Sequence, residues 1–265
     1  MDDVIKITQT AAPISKTTQI GVQYIGMTPE QAVKLTTDLF MDNFPKLQML
    51  AKEIAENRAT ELCNAIIKKL EDTHFYDFKS FTEPDVQYVL YKALKNYARF
   101  GEKEIMDILT DLVVNRIQND NTKNFKRVID NAILVACELS SFHLDCLSAL
   151  FILTRVRFNN INTIVDLSNL FKYISSIFNL ESITYAQEFS FLNFMGCLQL
   201  DLPDISKIQS QQYNLPQNEV EAIMTTAIKQ FDGDYGISEI GIAIAIINAE
   251  KKSQYSFDPH IWIHN

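Results

Sequence analysis

The sequence predicts an all-α protein, a multi-helix bundle of antiparallel helical hairpins with a short extended N-terminal arm and an extended C-terminal tail. Glycine and proline are scarce, with 7 copies of each in 265 residues, whereas a sandwich or barrel needs many tight turns. Apolar residues make up 47% of the chain, which is enough for a sizeable core. We therefore expect an arm over 1–27, a helical domain over 28–255 and a tail over 256–265.

The arm is rich in threonine, glutamine and serine, and part of it alternates between apolar and polar residues. This pattern predicts a short strand, which cannot be stable alone. The candidate oligomerisation residues are Ile20, Val22, Tyr24 and Ile25. We favour pairing with the same arm of a second subunit. The alternatives are a clasp with the tail residues 261–263 and disorder until a partner binds.

Capping signals and apolar spacing place the helices. Thr28 and Pro29 begin the first helix, and Pro45 is expected to kink or restart it. Gly101 is expected to end the third helical segment. The predicted helical segments after Pro45 cover about 46–71, 83–100, 102–119, 122–139, 141–157, 163–179, 184–198, a short helix within 199–218, 218–231 and 238–252.

Two segments near the C-terminus have distinctive patterns. Residues 240–247 are apolar on every side of a helix, which predicts a fully buried helix capped by Ser238. Residues 232–236, with sequence DGDYG, predict a turn that ends a helix. The twelve-residue acidic spacing of a calcium loop is absent there.

Reactive side chains do not form a recognisable catalytic motif, so we predict no catalytic residue, no metal site and no cofactor. The sequence contains no Walker loop, dinucleotide-binding glycine pattern, HExxH or GxSxG. A His143–Cys146 pair would lie on a buried helix without oxyanion donors, which disfavours catalysis. The four cysteines form no CxxC pair and are expected to be reduced core thiols.

One polar stripe is the candidate ligand-binding or partner-binding site. Gln87, Tyr91, Lys95 and Arg99 are four residues apart, so they line one helix face. Lys95 and Arg99 are expected to face Glu104 or Asp107 on the next helix. The stripe is either a salt-bridged surface or a groove for an anionic ligand or partner.

Net charge and segment composition limit the partners and the cellular location that we expect. The net charge is -9, which disfavours general nucleic-acid binding. The N-terminus lacks the basic and apolar regions of a signal peptide. The apolar run over 132–153 is interrupted by charged residues, so no membrane span is predicted. We therefore expect a cytoplasmic protein.

Three stretches together resemble an uncharacterised family of bacterial all-helical proteins. They are QIGVQYIGMTPEQAVKLTTDLFMDNFPKL, EPDVQYVLYKALKNYARFGEKEIMDILTDLVVNR, and GISEIGIAIAIINAEKK followed by FDPHIWI. The IGxxYxG-like segment before the first helix is similar to arms in bacterial phage-defence proteins. The resemblance implies a helical fold and a link to antiviral defence, and it brings no catalytic motif.

These observations predict a non-enzymatic interaction or oligomerisation protein, an accessory or sensor factor in bacterial anti-phage defence. The alternative is a ligand-binding sensor or an enzyme that uses a polar groove at the stripe. An interaction protein should expose an apolar or strand-pairing surface. An enzyme should have a deep pocket with converging titratable groups.

Overall fold

The structure, a computed structural model, describes residues 29–74, 81–118, 122–180, 185–200, 204–228, 231 and 235–263. Its elements confirm the predicted all-α multi-helix class, with one small two-stranded sheet added. The predicted arm lies outside the described residues. In chain order the elements are α1 (Pro29–Asp72), α2 (Pro84–Phe100), α3 (Lys103–Gln118), α4 (Lys123–Ala136), α5 (Ser141–Arg155), α6 (Ile164–Ile177), α7 (Tyr185–Phe194), β1 (Leu198–Leu200), α8 (Ile205–Tyr213), α9 (Gln217–Ala227), β2 (Tyr235–Ile237), α10 (Glu239–Lys252) and a 3₁₀ turn (Pro259–Ile261).

Helix α1 is longer than expected. Pro45 lies inside it, and the helix continues through it, so the predicted restart at Pro45 is wrong. Proline removes one backbone donor and strains the preceding turn. Pro45 is exposed, and water can bond the carbonyl that is left without a donor. The chain divides by its contacts into two compact units, residues 1–54 and residues 55–265.

The core of the second unit is built around α10, which packs against α5, α4 and α3. Every residue from Gly241 to Ala249 is buried. Ser238 caps the helix, because its hydroxyl accepts a hydrogen bond from the Gly241 N–H at 3.1 Å. The prediction of a fully buried helix is confirmed.

Capping residues explain why several helix starts follow the sequence. Ser140 and His143 form a reciprocal capping box at α5, and Thr163 and Asp166 form one at α6. Hydrogen bonds from the Thr163 hydroxyl and from two backbone N–H groups hold the pKa of Asp166 below its usual range. Each box satisfies donors that a helix start would leave unpaired.

Gly101 ends α2 in the left-handed region, with φ of 68°. A Cβ added there would overlap the Arg58 side chain. The Arg58 guanidinium is held in place, because it donates to the carbonyls of Ala98 at 3.1 Å and Arg99 at 2.9 Å. Gly101 is thus required both for its backbone conformation and for the space that Arg58 occupies.

We expect Gly101→Ala to lower the free energy of unfolding by about 2 kcal/mol, measured by urea denaturation. Gly196→Ala is the matched control, because Gly196 has φ of 74° and open space around its Cβ position. Gly196→Ala should cost only the backbone strain, about 1 kcal/mol. Equal losses in the two variants would show that contact with Arg58 contributes nothing.

The two-stranded sheet is a feature that the sequence did not predict. β1 pairs antiparallel with β2, with Leu198 opposite Ile237 and Gln199 opposite Gly236. The helix predicted over 184–198 therefore ends earlier, at Phe194, and part of the predicted turn at 232–236 is a strand. Strands of three residues are too short to show alternation in a sequence.

The C-terminal tail is not extended through its apolar end, as the sequence had suggested. Residues Pro259–Ile261 form a 3₁₀ turn. Phe257 and Trp262 contact the Phe151 ring edge-on, at 5.2 and 5.0 Å between ring centroids, and Ile263 is buried. Aromatic packing onto the core makes the turned conformation of the tail more stable than the extended one. The tail residues that the clasp alternative would use are therefore not in a strand.

Candidate functional site

The first unit presents an apolar helix face to solvent. A single exposed apolar side chain needs no explanation, whereas a contiguous set marks an interaction surface. In α1 up to residue 54, seven large apolar side chains are 39% to 73% exposed. They are Val33, Met41, Phe44, Leu47, Met49, Leu50 and Ile54.

Four residues of this segment follow a seven-residue repeat. Val33, Phe40, Leu47 and Ile54 are each seven positions apart in the sequence. Apolar residues at this spacing over about three heptads are typical of a coiled-coil seam, with these four at heptad position d. The next d position holds Glu61, so the repeat ends at the boundary of the first unit.

The other exposed apolar residues of α1 fit the same register. Phe44 and Ala51 fall at heptad position a, Met41 at e and Leu50 at g. Met49 lies at f and points away from the seam, as does the half-buried Leu35 at an earlier f position. We call the apolar residues at these positions the α1 seam: Val33, Phe40, Met41, Phe44, Leu47, Leu50, Ala51 and Ile54. It is not among the sites predicted above, although its spacing is visible in the sequence.

The predicted polar stripe lies on α2. The opposite face of this helix is buried through Val86, Val89, Ala93 and Tyr97. The stripe residues Gln87, Tyr91, Lys95 and Arg99 are all exposed. The structure therefore places the four on one solvent-facing side of a helix.

The predicted pairing of Lys95 and Arg99 with acids on α3 is absent from the described ion pairs. Asp107 instead contacts the Lys251 ammonium at 3.3 Å. The Arg99 guanidinium lies over the Phe100 ring, 4.8 Å from its centroid. α3 directs its Asp107 side chain toward α10, a contact that a two-helix argument does not include.

A histidine–carboxylate contact joins α5 to α7. His143 Nε2 lies 2.6 Å from Glu188 Oε2. His143 Nδ1 accepts from the Ser140 backbone N–H at 3.1 Å, so the neutral ring carries its proton on Nε2 and donates it to Glu188. The Ser140 hydroxyl in turn accepts from the His143 N–H as the helix cap. The cluster resembles a nucleophilic triad in composition, but its contacts cap a helix and join two helices.

A buried polar network joins α5 to α10. The Lys252 ammonium contacts both carboxylate oxygens of Asp145, at 2.5 and 2.7 Å. The Asn248 amide donates to Asp145 at 3.0 Å and to the Ser148 hydroxyl at 2.9 Å. Burial raises the pKa of the Asp145 carboxyl, and Lys252 and Asn248 oppose that rise. Every member has a partner, so the network is typical of a structural contact.

Two pockets are lined entirely by described residues. One, of about 300 Å³, lies beside the start of α6 and is bordered by Phe158, Tyr173 and Tyr255. The other, of about 250 Å³, is lined by α1, α3 and α10, and its Lys69 pairs with Asp111 at 2.8 Å. Neither includes a residue of the predicted stripe.

Comparison with known proteins identifies the family. The model of an uncharacterised protein family matches residues 26–238, most of the chain. The chain belongs to that family. No curated protein matches the chain, and no solved structure does.

The family match covers the surfaces described above. It includes the α1 seam, the α2 stripe and the His143–Glu188 contact, and it ends just before α10. The resemblance seen in the sequence is thus confirmed as membership of an uncharacterised family.

Three cysteine side chains of this family member, Cys137, Cys146 and Cys197, are buried and form no disulfide. Burial raises the pKa of Cys137 and of Cys197 to about 12, and raises that of Cys146 as well. These thiols are not nucleophiles at neutral pH. Within the described ranges, no three His, Cys, Asp or Glu residues converge as metal ligands. In the same ranges no helix is both long and apolar enough to cross a membrane.

Proposed function

We propose that this chain is a non-enzymatic protein that associates with further copies of itself through the α1 seam. The observation that carries the proposal is the seven-residue apolar repeat of α1. Three of its d positions, Val33, Leu47 and Ile54, are 66%, 55% and 41% exposed. A heptad face that stays in water forgoes the burial that it is patterned to gain.

A second copy of the same helix suits this seam. Related helices across a twofold axis present the same residues to each other, so an apolar seam complements itself. The flanking residues Met41 at e and Leu50 at g are apolar and do not repel their equivalents. Met41 and Leu50 widen the apolar face locally, whereas the other e and g positions hold the polar residues Lys34, Thr36, Asn43 and Gln48.

The buried polar groups of the second unit support a non-enzymatic role. His143 is occupied by a helix cap and by Glu188. Asp145 is occupied by Lys252 and Asn248. Catalysis needs such groups to converge on a space that a substrate can enter.

The predicted arm is the second element of the proposed association. Ile20, Val22, Tyr24 and Ile25 immediately precede α1 in the sequence, so an arm that adds a strand to a partner would act beside the seam. The setting that we propose is an accessory or sensor role in bacterial defence against phage, supported by the similarity of the arm to those of phage-defence proteins. Loss of plaque protection on deletion of the gene would support this setting, and unchanged plating would contradict it.

The seam can be tested with charged substitutions at Leu47 and Met49, which lie about half a turn apart around α1. Leu47→Glu places a carboxylate at position d, where association would bury it at a cost of several kcal/mol. We expect light scattering to give an oligomer for the wild type and a mass shifted toward monomer for Leu47→Glu. Leu47 is exposed, so the substitution should leave the helix content measured by circular dichroism unchanged.

Met49→Glu is the matched control. Met49 lies at position f of the same helix and is 73% exposed, so its substitution should leave the mass of the oligomer unchanged. A monomeric wild type, or an equal effect of Leu47→Glu and Met49→Glu, would contradict association through the seam. Deleting residues 1–27 then tests whether the arm contributes to the same oligomer.

A further inference from the structure

The exposed side of α2 carries positive charge in an acidic protein. Between Asp85 and Glu102 the sequence contains Lys92, Lys95 and Arg99 and no acidic residue. The whole chain has a net charge of -9. A helix segment of the opposite sign therefore makes a local surface that attracts anions.

Aromatic rings lie among these cations. Tyr88, Tyr91 and Phe100 are 55%, 60% and 44% exposed. The Lys92 ammonium lies over the Tyr88 ring, 5.4 Å from its centroid, and Arg99 lies over Phe100. From residue 88 to residue 100 the helix is about 18 Å long. We call Tyr88, Tyr91, Lys92, Lys95 and Arg99 the α2 cationic–aromatic face; Phe100, nine residues after Tyr91, lies about half a turn away around the helix.

Within the part of the chain that the structure describes, no carboxylate neutralises the cations of this face. Among the described ion pairs, none joins Lys92, Lys95 or Arg99 to an acidic side chain. Asp107, one of the two acids expected to pair with them, contacts Lys251 instead. The positive charges are therefore available to an anionic partner.

We propose that the α2 cationic–aromatic face binds single-stranded nucleic acid. Bases stack on Tyr88 and Tyr91 while the phosphates contact the three cations. Exposed rings beside cations favour this partner over an acidic peptide, which has no bases to stack. The bases of a duplex are already stacked, and an acidic protein repels its dense charge. The proposal does not depend on association through α1.

The expectation that the chain lacks general nucleic-acid binding came from its net charge. A local face is compatible with a negative total, because salt screens charges beyond about 10 Å. A face with three cations on an acidic protein implies that nucleic-acid binding is weak and sensitive to salt. Three phosphate contacts predict that log affinity falls with log salt concentration with a slope of about -2.

Fluorescence anisotropy with a fluorescein-labelled oligouridine, between about 50 and 200 mM salt, tests the proposal. We expect Tyr91→Ala to weaken binding about tenfold, and Tyr91→Phe, which keeps the ring, to restore it. Lys95→Ala should weaken binding and reduce the salt slope by about 0.7. Tyr91 and Lys95 are exposed, so circular dichroism should confirm an intact fold.

Tyr173→Ala and Lys172→Ala are the matched controls, because both residues are exposed on α6 and should leave affinity unchanged. Labelled duplex DNA and polyglutamate should bind more weakly than oligouridine. Absence of a saturable signal at low salt would overturn the proposal. So would equal binding of polyglutamate together with no effect of Tyr91→Ala, because that result describes a purely electrostatic surface.

Discussion

Ile244→Asp is expected to leave the second unit unfolded at room temperature. Ile244 has no exposed surface and lies in the middle of α10. The substitution loses about 2 kcal/mol of apolar burial and places an unpaired carboxylate in the core, which costs several kcal/mol more. That loss is comparable to the whole stability of a domain. Circular dichroism should show lost helix and no cooperative thermal transition.

Ile67→Asp is the control for this substitution. Ile67 is also a helical isoleucine, but its side chain is 50% exposed. The same chemical change should cost less than about 1 kcal/mol there. A soluble Ile244→Asp protein with the wild-type melting temperature would show that α10 is not buried in solution.

Helix α10 illustrates what the sequence could predict. Its apolar residues on all sides and its Ser238 cap are local signals, and so is the glycine that ends α2. Local preferences of this kind usually agree with the folded structure. The structure places each of them as expected. The polar stripe on α2 is likewise a matter of spacing along one helix, so its four residues lie on one face.

Features that depend on distant partners could not be predicted in the same way. β1 and β2 pair across more than thirty residues of chain, and neither strand is stable alone. The tail is not extended because the Phe257 and Trp262 rings pack against the distant Phe151 ring. Asp107 contacts Lys251 on α10 and not the stripe residues, and nothing near either residue in the sequence indicates this contact.

Lys252→Met is expected to destabilise the folded chain by about 3 kcal/mol at neutral pH. Lys252 is the only cation in the described contacts of Asp145, whose side chain is 8% exposed. Without the ammonium, the Asn248 amide would be left to stabilise a buried carboxylate. Urea denaturation measures the loss.

Lys251→Met is the matched control, since the neighbouring lysine side chain is 34% exposed and that of Lys252 is 33% exposed. The ammonium of Lys251 contacts Asp111 at 3.8 Å, a carboxylate that keeps Lys69 at 2.8 Å in the variant, and it contacts Asp107, which is 48% exposed, at 3.3 Å. Water can solvate that carboxylate when the lysine is removed, so the cost should stay below about 1 kcal/mol. Equal losses in the two variants would contradict the assignment of Asp145 as a buried, lysine-dependent charge.

The pH dependence separates loss of charge from loss of packing. Burial raises the folded-state pKa of Asp145 above its usual value, so the folded chain holds this proton more tightly than the unfolded chain does. The carboxyl therefore favours folding below the unfolded pKa, and that contribution is lost as pH rises through the raised value. Removing Lys252 raises the pKa further, because one opposing effect is gone. The deficit of Lys252→Met should thus be largest at neutral pH and shrink on acidification, when Asp145 is protonated in both proteins. A deficit that does not change with pH would mean that Lys252 acts through the packing of its aliphatic chain instead of through its charge.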